Sequence, residues 1–261
     1  MNRFILPSVL WERFIPNVQL GHHLICYDEV ASTMDTAWEA VEHGSLTHGS
    51  AVIALNQTQG KGRFDRSWVS EPGESLTMSV VVQPSTEVAE RLSMIAGLAI
   101  LKSIESLTGV RSTIKWPNDV RIVGKKVCGI LVQTRVDTAG SATAVVGIGL
   151  NLGLDVSRYE DIRDTATSLR AATGYDVEMV PAAEAVLRAF DELYGATKAG
   201  VGMHAEWSDA IDTLGNKVIA TIRGVEETGI AEGVAADGSL LFRREDGTLV
   251  QISSGEVTIK N

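Results

Sequence analysis

Cysteine and histidine are scarce in this chain of 261 residues, and each scarcity removes a class of explanation. Cys26 and Cys128 stand alone, outside any C-x-x-C pair. They read as small buried apolar residues, not as metal ligands or disulfide halves. The five histidines form neither H-E-x-x-H nor a Cys/His ligand spacing, which argues against structural zinc. No apolar run reaches the ~18 residues needed to span a bilayer. No basic segment leading into an apolar core opens the chain, so no signal peptide is read and the cytoplasm is expected. The formal net charge of −10 leaves no broad basic face for general nucleic-acid binding. What remains is the ordinary composition of a soluble globular protein, long enough for one large domain or one plus a small appendage.

Against that acidic background, Asn56–Ser70 stands out. Lys61, Arg63 and Arg66 lie among Gly60 and Gly62, between a strand-like run and Trp68. Glycines let backbone amides approach an anion, and arginines add forked donors suited to phosphate. The loop reads as a phosphate cradle, although alone it also fits a solvated turn. It is not a P-loop, because G-x-x-x-x-G-K-[ST] is not supplied. Gly147–Gly153 misses the dinucleotide fingerprint G-x-G-x-x-G by one position.

Along the chain, Leu6–Ile15 reads as a short helix and His22–Val30 as a strand. Ser32 is placed to cap a helix ending at Gly44. Strands follow at 51–55 and 75–83, then a long helix over Val88–Leu107. A short strand at 113–116 runs into Pro117, 120–123 and 127–136 read as a hairpin, and Ala142–Leu152 is a further strand. Helices are expected over Asp161–Thr173 and Val180–Ala199. From Lys217, five short strands with two D-G turns suggest a small separate barrel. The boundary falls near Leu214–Gly215.

Two more constellations could carry chemistry. In Lys115-Trp116-Pro117-Asn118-Asp119 a stiff turn would fix a cation, an amide and a carboxylate, and Asn118 and Asp119 suit Mg²⁺ on a nucleotide. The bland alternative is a surface pair between Lys115 and Asp119 with Trp116 in the core. Lys126 opens a β-run, where its charge would be rigidly held, and Gly129 within that run implies a close approach to the backbone.

Together these pieces resemble the biotin protein ligases. The family signature Q-x-x-G-R-G-R-x-G-R-x-W is matched in outline by Gln57–Trp68, K-W-P-N-D by Lys115–Asp119, and K-[LV]-x-G-I-L by Lys126–Leu131. G-x-G-x-N corresponds to Gly147–Asn151, and S-T-N to Ser32-Thr33-Met34. All five occur in the family's order. The resemblance implies an α+β fold: a mixed-sheet catalytic domain of the class II synthetase-like, biotin–lipoate ligase type over 1–214, and an SH3-like β-barrel over 215–261. It also implies a ligase that uses ATP and Mg²⁺ to make biotinyl-5'-AMP, then biotinylates one lysine of a biotin carboxyl carrier protein or domain. That carrier would belong to acetyl-CoA carboxylase or another biotin-dependent carboxylase.

Carried over residue by residue, Lys126 is the first catalytic candidate, with Arg63 and Lys115. Ser32, Thr33, Met34, Gln57, Gly60, Lys61, Gly62, Arg63, Lys126 and Gly129 would surround biotin. Arg63, Arg66, Trp68, Lys115, Asn118, Lys126 and Asn151 would meet ATP or the adenylate, and Asn118 and Asp119 the metal. Three departures stand out: Met34 for Asn, Lys61 for Arg, and Asp65 for Gly. The last should leave the loop less tightly ordered over an anion. The segment before the first core strand is short and weakly basic, so no DNA-binding role is expected, and homodimerisation along a sheet edge is left open. The competing readings are a lipoate or octanoyl ligase-like enzyme, a non-catalytic biotin sensor, and an inert core bearing a protein-binding barrel.

Overall fold

The computed structural model describes residues 9–222, 224–253 and 255–259. Its centre is an eight-stranded sheet in the order β1-β2-β3-β4-β8-β7-β6-β5. The strands are β1 (Val9–Phe14), β2 (His23–Val30), β3 (Ser50–Gln57), β4 (Ser75–Val82), β5 (Thr113–Lys115), β6 (Asp119–Ile122), β7 (Lys125–Val136) and β8 (Ala142–Asn151). β2 and β3 run parallel, joined by the crossover helix α1 (Thr33–Glu42), and the other neighbours are antiparallel. The sheet is mixed.

Side chains alternate across a strand, so each strand serves two faces. One face carries Leu24, Ile53, Met78, Val80, Val146 and Leu150 into a large core with α3 (Leu92–Thr108) and α5 (Met179–Lys198). On the other face, Ile25, Tyr27, Val52, Val81 and Val145 pack against α1 through Met34, Ala37 and Trp38. Beneath the first turn of α1, this second face changes character. Thr77 and Ser79 on β4 stand beside Gly149 and Gly147 on β8.

The chain closes with a separate five-stranded antiparallel sheet of the SH3-like kind. β9 (Lys217–Ile222), β10 (Val225–Val234), β11 (Leu240–Arg244), β12 (Leu249–Ile252) and β13 (Glu256–Ile259) take the order β12-β11-β10-β9-β13. It is joined to the larger unit by a continuous core containing Val218, Ala231 and Phe242. The indole of Trp116, buried at the start of the K-W-P-N-D turn, donates to the Gly238 carbonyl at 2.9 Å.

Several local expectations are corrected. The segment read as a helix over Leu6–Ile15 is the strand β1 from Val9 onward, and residues 6–8 lie outside the described residues. So short a helix is marginal in water, whereas the open edge of β2 offers a full ladder. The long helix divides at Arg91 into α2 (Thr86–Glu90) and α3, and the Ser85 hydroxyl accepts from Val88 N at the new start. Of the helix expected at 161–173, only α4 (Leu169–Thr173) forms. Lys126 explains this: its amide donates to Thr165 O and its carbonyl accepts from Thr167 N, removing that backbone from any helix. A further helix, α6 (His204–Ala210), was not anticipated and buries Trp207.

Candidate active site

A cleft on the thinner face of the sheet is walled by α1, the glycine-rich loop, β7 and β8. Its floor follows from strand register. Gly129 on β7 pairs directly with Gly149 on β8, so two residues without side chains face each other across the ladder. The Trp68 indole lies on that bare patch. A Cβ at Gly149 would stand 2.4 Å from Trp68 Cε2, and one at Gly129 would stand 2.9 Å from Cζ3. Gly147, two residues along, leaves a slot for the Met34 thioether, 2.8 Å from where its Cβ would be. The close approach expected at Gly129 is therefore made by a tryptophan ring and by Lys126, whose Nζ is 3.1 Å from the same point.

One end of the cleft is built of neutral hydrogen-bonding groups. Gln57 Oε1 accepts from Thr33 N at 2.8 Å and from Thr33 Oγ1 at 3.1 Å, and Ser79 Oγ donates to Thr33 Oγ1 at 2.9 Å. Ser32 holds the N-cap position of α1, but its hydroxyl makes no cap bond. It is buried without a partner among the described residues, at the cleft wall. A buried hydroxyl in that state costs free energy until something pairs with it.

The other end is cationic. Lys126 Nζ lies 2.7 Å from Asp119 Oδ1 and 5.5 Å from the centre of the Trp68 ring. Arg63 reaches in from the loop and donates to Asn118 Oδ1 at 3.0 Å, while Asn118 Nδ2 donates to Ile130 O at 2.8 Å. Burial lowers the pKa of Arg63, and neighbouring Arg66 adds to this while Asp119 opposes it. The guanidinium remains charged, since arginine titrates far above neutrality.

The loop is a closed hairpin. Gly62 N donates to Arg66 O at 2.7 Å, and Trp68 N to Gly60 O at 2.8 Å. At its tip Phe64 and Asp65 have φ of 55° and 57°. Both residues are therefore left-handed, a conformation that Asp65 tolerates better than most side chains do. Each of the three cations is held by a different element. Lys61 Nζ is 2.6 Å from Asp35 Oδ1 on α1, Arg63 meets Asn118, and Arg66 pairs with Glu256 on β13.

These contacts place the sequence candidates. All the residues expected around biotin line the cleft except Gly60, which backs onto the Trp68 carbonyl. Of those expected around ATP, Arg63, Trp68, Asn118 and Lys126 line it. Arg66, Lys115 and Asn151 do not. Asn151 is buried beside it, donating to Thr167 O at 2.9 Å with its own Oδ1 unpartnered. Gly149 entered only through the G-x-G-x-N match, and Ser79 and Asp35 were not singled out at all. The alternation of Ser75, Thr77 and Ser79 along β4 was the available signal for Ser79.

A sequence profile of the Biotin/lipoate A/B protein ligase family matches residues 27–151, and one of the Biotin protein ligase C terminal domain matches residues 213–260. Over 237 residues the chain is 32% identical to the biotin–[acetyl-CoA-carboxylase] ligase of Paracoccus denitrificans, covering 87% of this chain and 98% of that one. The chain belongs to the biotin protein ligase family. A bifunctional ligase/repressor of Bacillus spizizenii is 29% identical over 92% of this chain and 75% of its own. Among solved structures, the biotin protein ligase of Aquifex aeolicus in complex with biotin and ATP aligns with a TM-score of 0.77 at 29% identity, covering 91% of this chain and 98% of that one.

Within this ligase family, the α+β architecture with a mixed sheet and a small SH3-like C-terminal unit is the shared fold. The chain's departures from the family signature are absorbed locally: Met34 fills the slot above Gly147, and Lys61 is paired with Asp35. The two cysteines are buried and free. Burial pushes the Cys26 thiol up to about 11 and the Cys128 thiol up further, so both stay protonated near neutral pH. No described helix is long and apolar enough to cross a membrane.

Proposed function

We propose that this ligase activates biotin with ATP as biotinyl-5'-AMP and transfers the biotinyl group to a lysine of a carboxylase carrier domain. One observation carries the reading: a single cleft joins a neutral hydrogen-bonding end at Ser32, Thr33 and Gln57 to a cationic end at Lys126 and Arg63, over a floor stripped to glycine. A urea-like ring with an apolar stem and a terminal carboxylate matches that sequence of surfaces. The Aquifex aeolicus relative was solved with biotin and ATP, and the Paracoccus denitrificans relative is named for acetyl-CoA carboxylase.

In the first half-reaction a biotin carboxylate oxygen attacks the α-phosphorus, and the bond to pyrophosphate breaks with its electron pair leaving on pyrophosphate. Negative charge accumulates on phosphoryl oxygens, so preorganised cations supply most of the catalysis. Lys126 serves the carboxylate and α-phosphate. Arg63, closed over the cleft onto Asn118, covers the mixed anhydride and limits water. In the second half-reaction a neutral lysine amine attacks the anhydride carbonyl, the acyl–oxygen bond breaks with its electron pair leaving on AMP, and the surplus amine proton passes to solvent. Arg66 and Asn151 serve the nucleotide, for which Arg66 must exchange Glu256 for phosphate. Mg²⁺ suits a single carboxylate completed by phosphate oxygens. Asp119 would supply that carboxylate through Oδ2, since Lys126 holds its Oδ1, while the Asn118 oxygen is engaged by Arg63. We place the division between the two units at Leu214–Gly215.

The deciding measurement is pyrophosphate release on adding biotin or lipoate with ATP. Release with biotin alone is expected. Release with lipoate alone would make the chain a lipoate enzyme, and tight biotin binding with no release would make it a sensor.

A further inference from the structure

The β5–β6–β7 end of the sheet holds more positive charge than the cleft uses. On the cleft side, Lys115 stands opposite Asp119, while Arg121 stands between Thr113 on β5 and Lys126 on β7. Like charges directly opposite in a ladder destabilise it, and Arg121 faces Lys126. The one carboxylate in the group, Asp119, is taken by Lys126 at 2.7 Å. Lys115 makes no ion pair among the described residues. Its pKa is lowered first by burial and then by Arg121, with Asp119 opposing.

Arg121 is itself poorly compensated. Its side chain is 22% exposed, and its ion pair with Asp212 Oδ2 is long, at 4.0 Å. That oxygen already accepts from Thr113 Oγ1 at 2.9 Å. The Arg121 Nε is buried and has no hydrogen-bond partner among the described residues. Two half-buried cations side by side, neither closely neutralised, form a site short of negative charge. Neither residue lines the cleft. Together they extend its cationic end from Lys126 across β6 to β5, the edge strand.

We propose that Arg121, with Lys115, binds the departing pyrophosphate and so acts as a further phosphate-binding residue. This rests on the adenylating reading above. When the α-phosphorus bond to pyrophosphate breaks, the leaving group takes the electron pair and its charge rises at the bridging oxygen. Guanidinium donors on the far side of Lys126 meet that charge with no proton transfer. Adjacent cations also favour pyrophosphate over orthophosphate, which presents fewer oxygens to two separate donors.

The test uses the full chain, with Arg121→Gln to remove the charge and Arg121→Lys to keep it. Calorimetric titration with pyrophosphate, without biotin, is expected to show about tenfold weaker binding for Arg121→Gln. Arg121→Lys should recover most of the loss, and orthophosphate should bind weakly to all three. In turnover, the pyrophosphate inhibition constant should rise by a similar factor with KM for biotin unchanged, a split that partial unfolding cannot produce. Equal pyrophosphate affinity in wild type and Arg121→Gln overturns the assignment of Arg121 whatever the activity. A wild type that binds pyrophosphate in an Arg121-dependent way yet never releases it on adding biotin overturns the adenylating reading instead.

Discussion

The two faces of the eight-stranded sheet are built from the same strands and have opposite economies of side chain. Toward α3 and α5 the strands present Leu24, Ile53, Met78, Val80 and Val146, which interlock in a closed core. Toward the cleft, positions along the same strands are Thr77, Ser79, Gly129, Gly147 and Gly149. The first face secures the fold by burying large groups. The second gives up that burial so that an indole and a thioether approach the backbone. Stability and chemistry are divided between the two sides of one sheet.

The division is open to breaking by substitution, and the largest effect should come from the cationic end of the cleft. Lys126→Ala is expected to lower biotin adenylation by about 10³-fold with the melting transition little changed. Near wild-type turnover in that variant would remove Lys126 from the catalytic role. Next in size, Gly149→Ala drives a methyl into the Trp68 ring. It should reduce turnover by about 10²-fold through misplacement of Trp68 and Arg63, while overpacking costs about 1–3 kcal/mol of stability. If adenylation rates stay within twofold, the bare floor is not needed.

Asp65→Gly sharpens the picture at the lid. Relieving the left-handed strain at a non-glycine residue and removing one negative charge should lengthen retention of the adenylate about threefold, read by the half-life of bound intermediate after gel filtration. Equal half-lives would show that Asp65 has no bearing on leakage. The smallest effect on chemistry belongs to the other face. Ile53→Ala should cost about 3 kcal/mol of stability yet leave turnover per folded molecule within about twofold, as for a site away from the reacting groups. A large fall in turnover at full folding would mean that the two faces are coupled.

How far all this was legible depended on the distance between partners in sequence. The order of motifs and most cleft residues were readable because each motif is local: a turn, a strand start, a glycine run. The pairings that hold the lid were not, since Lys61 meets Asp35 across α1 and β3, and Arg66 meets Glu256 at the far end of the chain. Arg66 was read as a phosphate ligand from the glycine-rich loop and the family signature it resembles, and nothing local announced a competing carboxylate on β13. The helix expected over Asp161–Thr173 failed for the same reason, because its backbone was claimed by Lys126. The Leu6–Ile15 reading failed because apolar residues at both helical and strand spacing are ambiguous in so short a segment, and the edge of β2 decided it.

The hydrogen bond from the Trp116 indole to the Gly238 carbonyl has a consequence for recombination between relatives. The two parts of this ligase match separate family profiles and look interchangeable on paper. Yet Trp116 belongs to the turn carrying Asn118 and Asp119, and its ring is seated by a D-G turn of the small sheet, which also provides Glu256 for the lid. A C-terminal unit borrowed from a relative would have to reproduce that seat and that carboxylate. Without them the graft would fold as two sound halves and still misalign the Lys115–Asp119 turn. Chimeric ligases therefore offer a readout of fit at this seam.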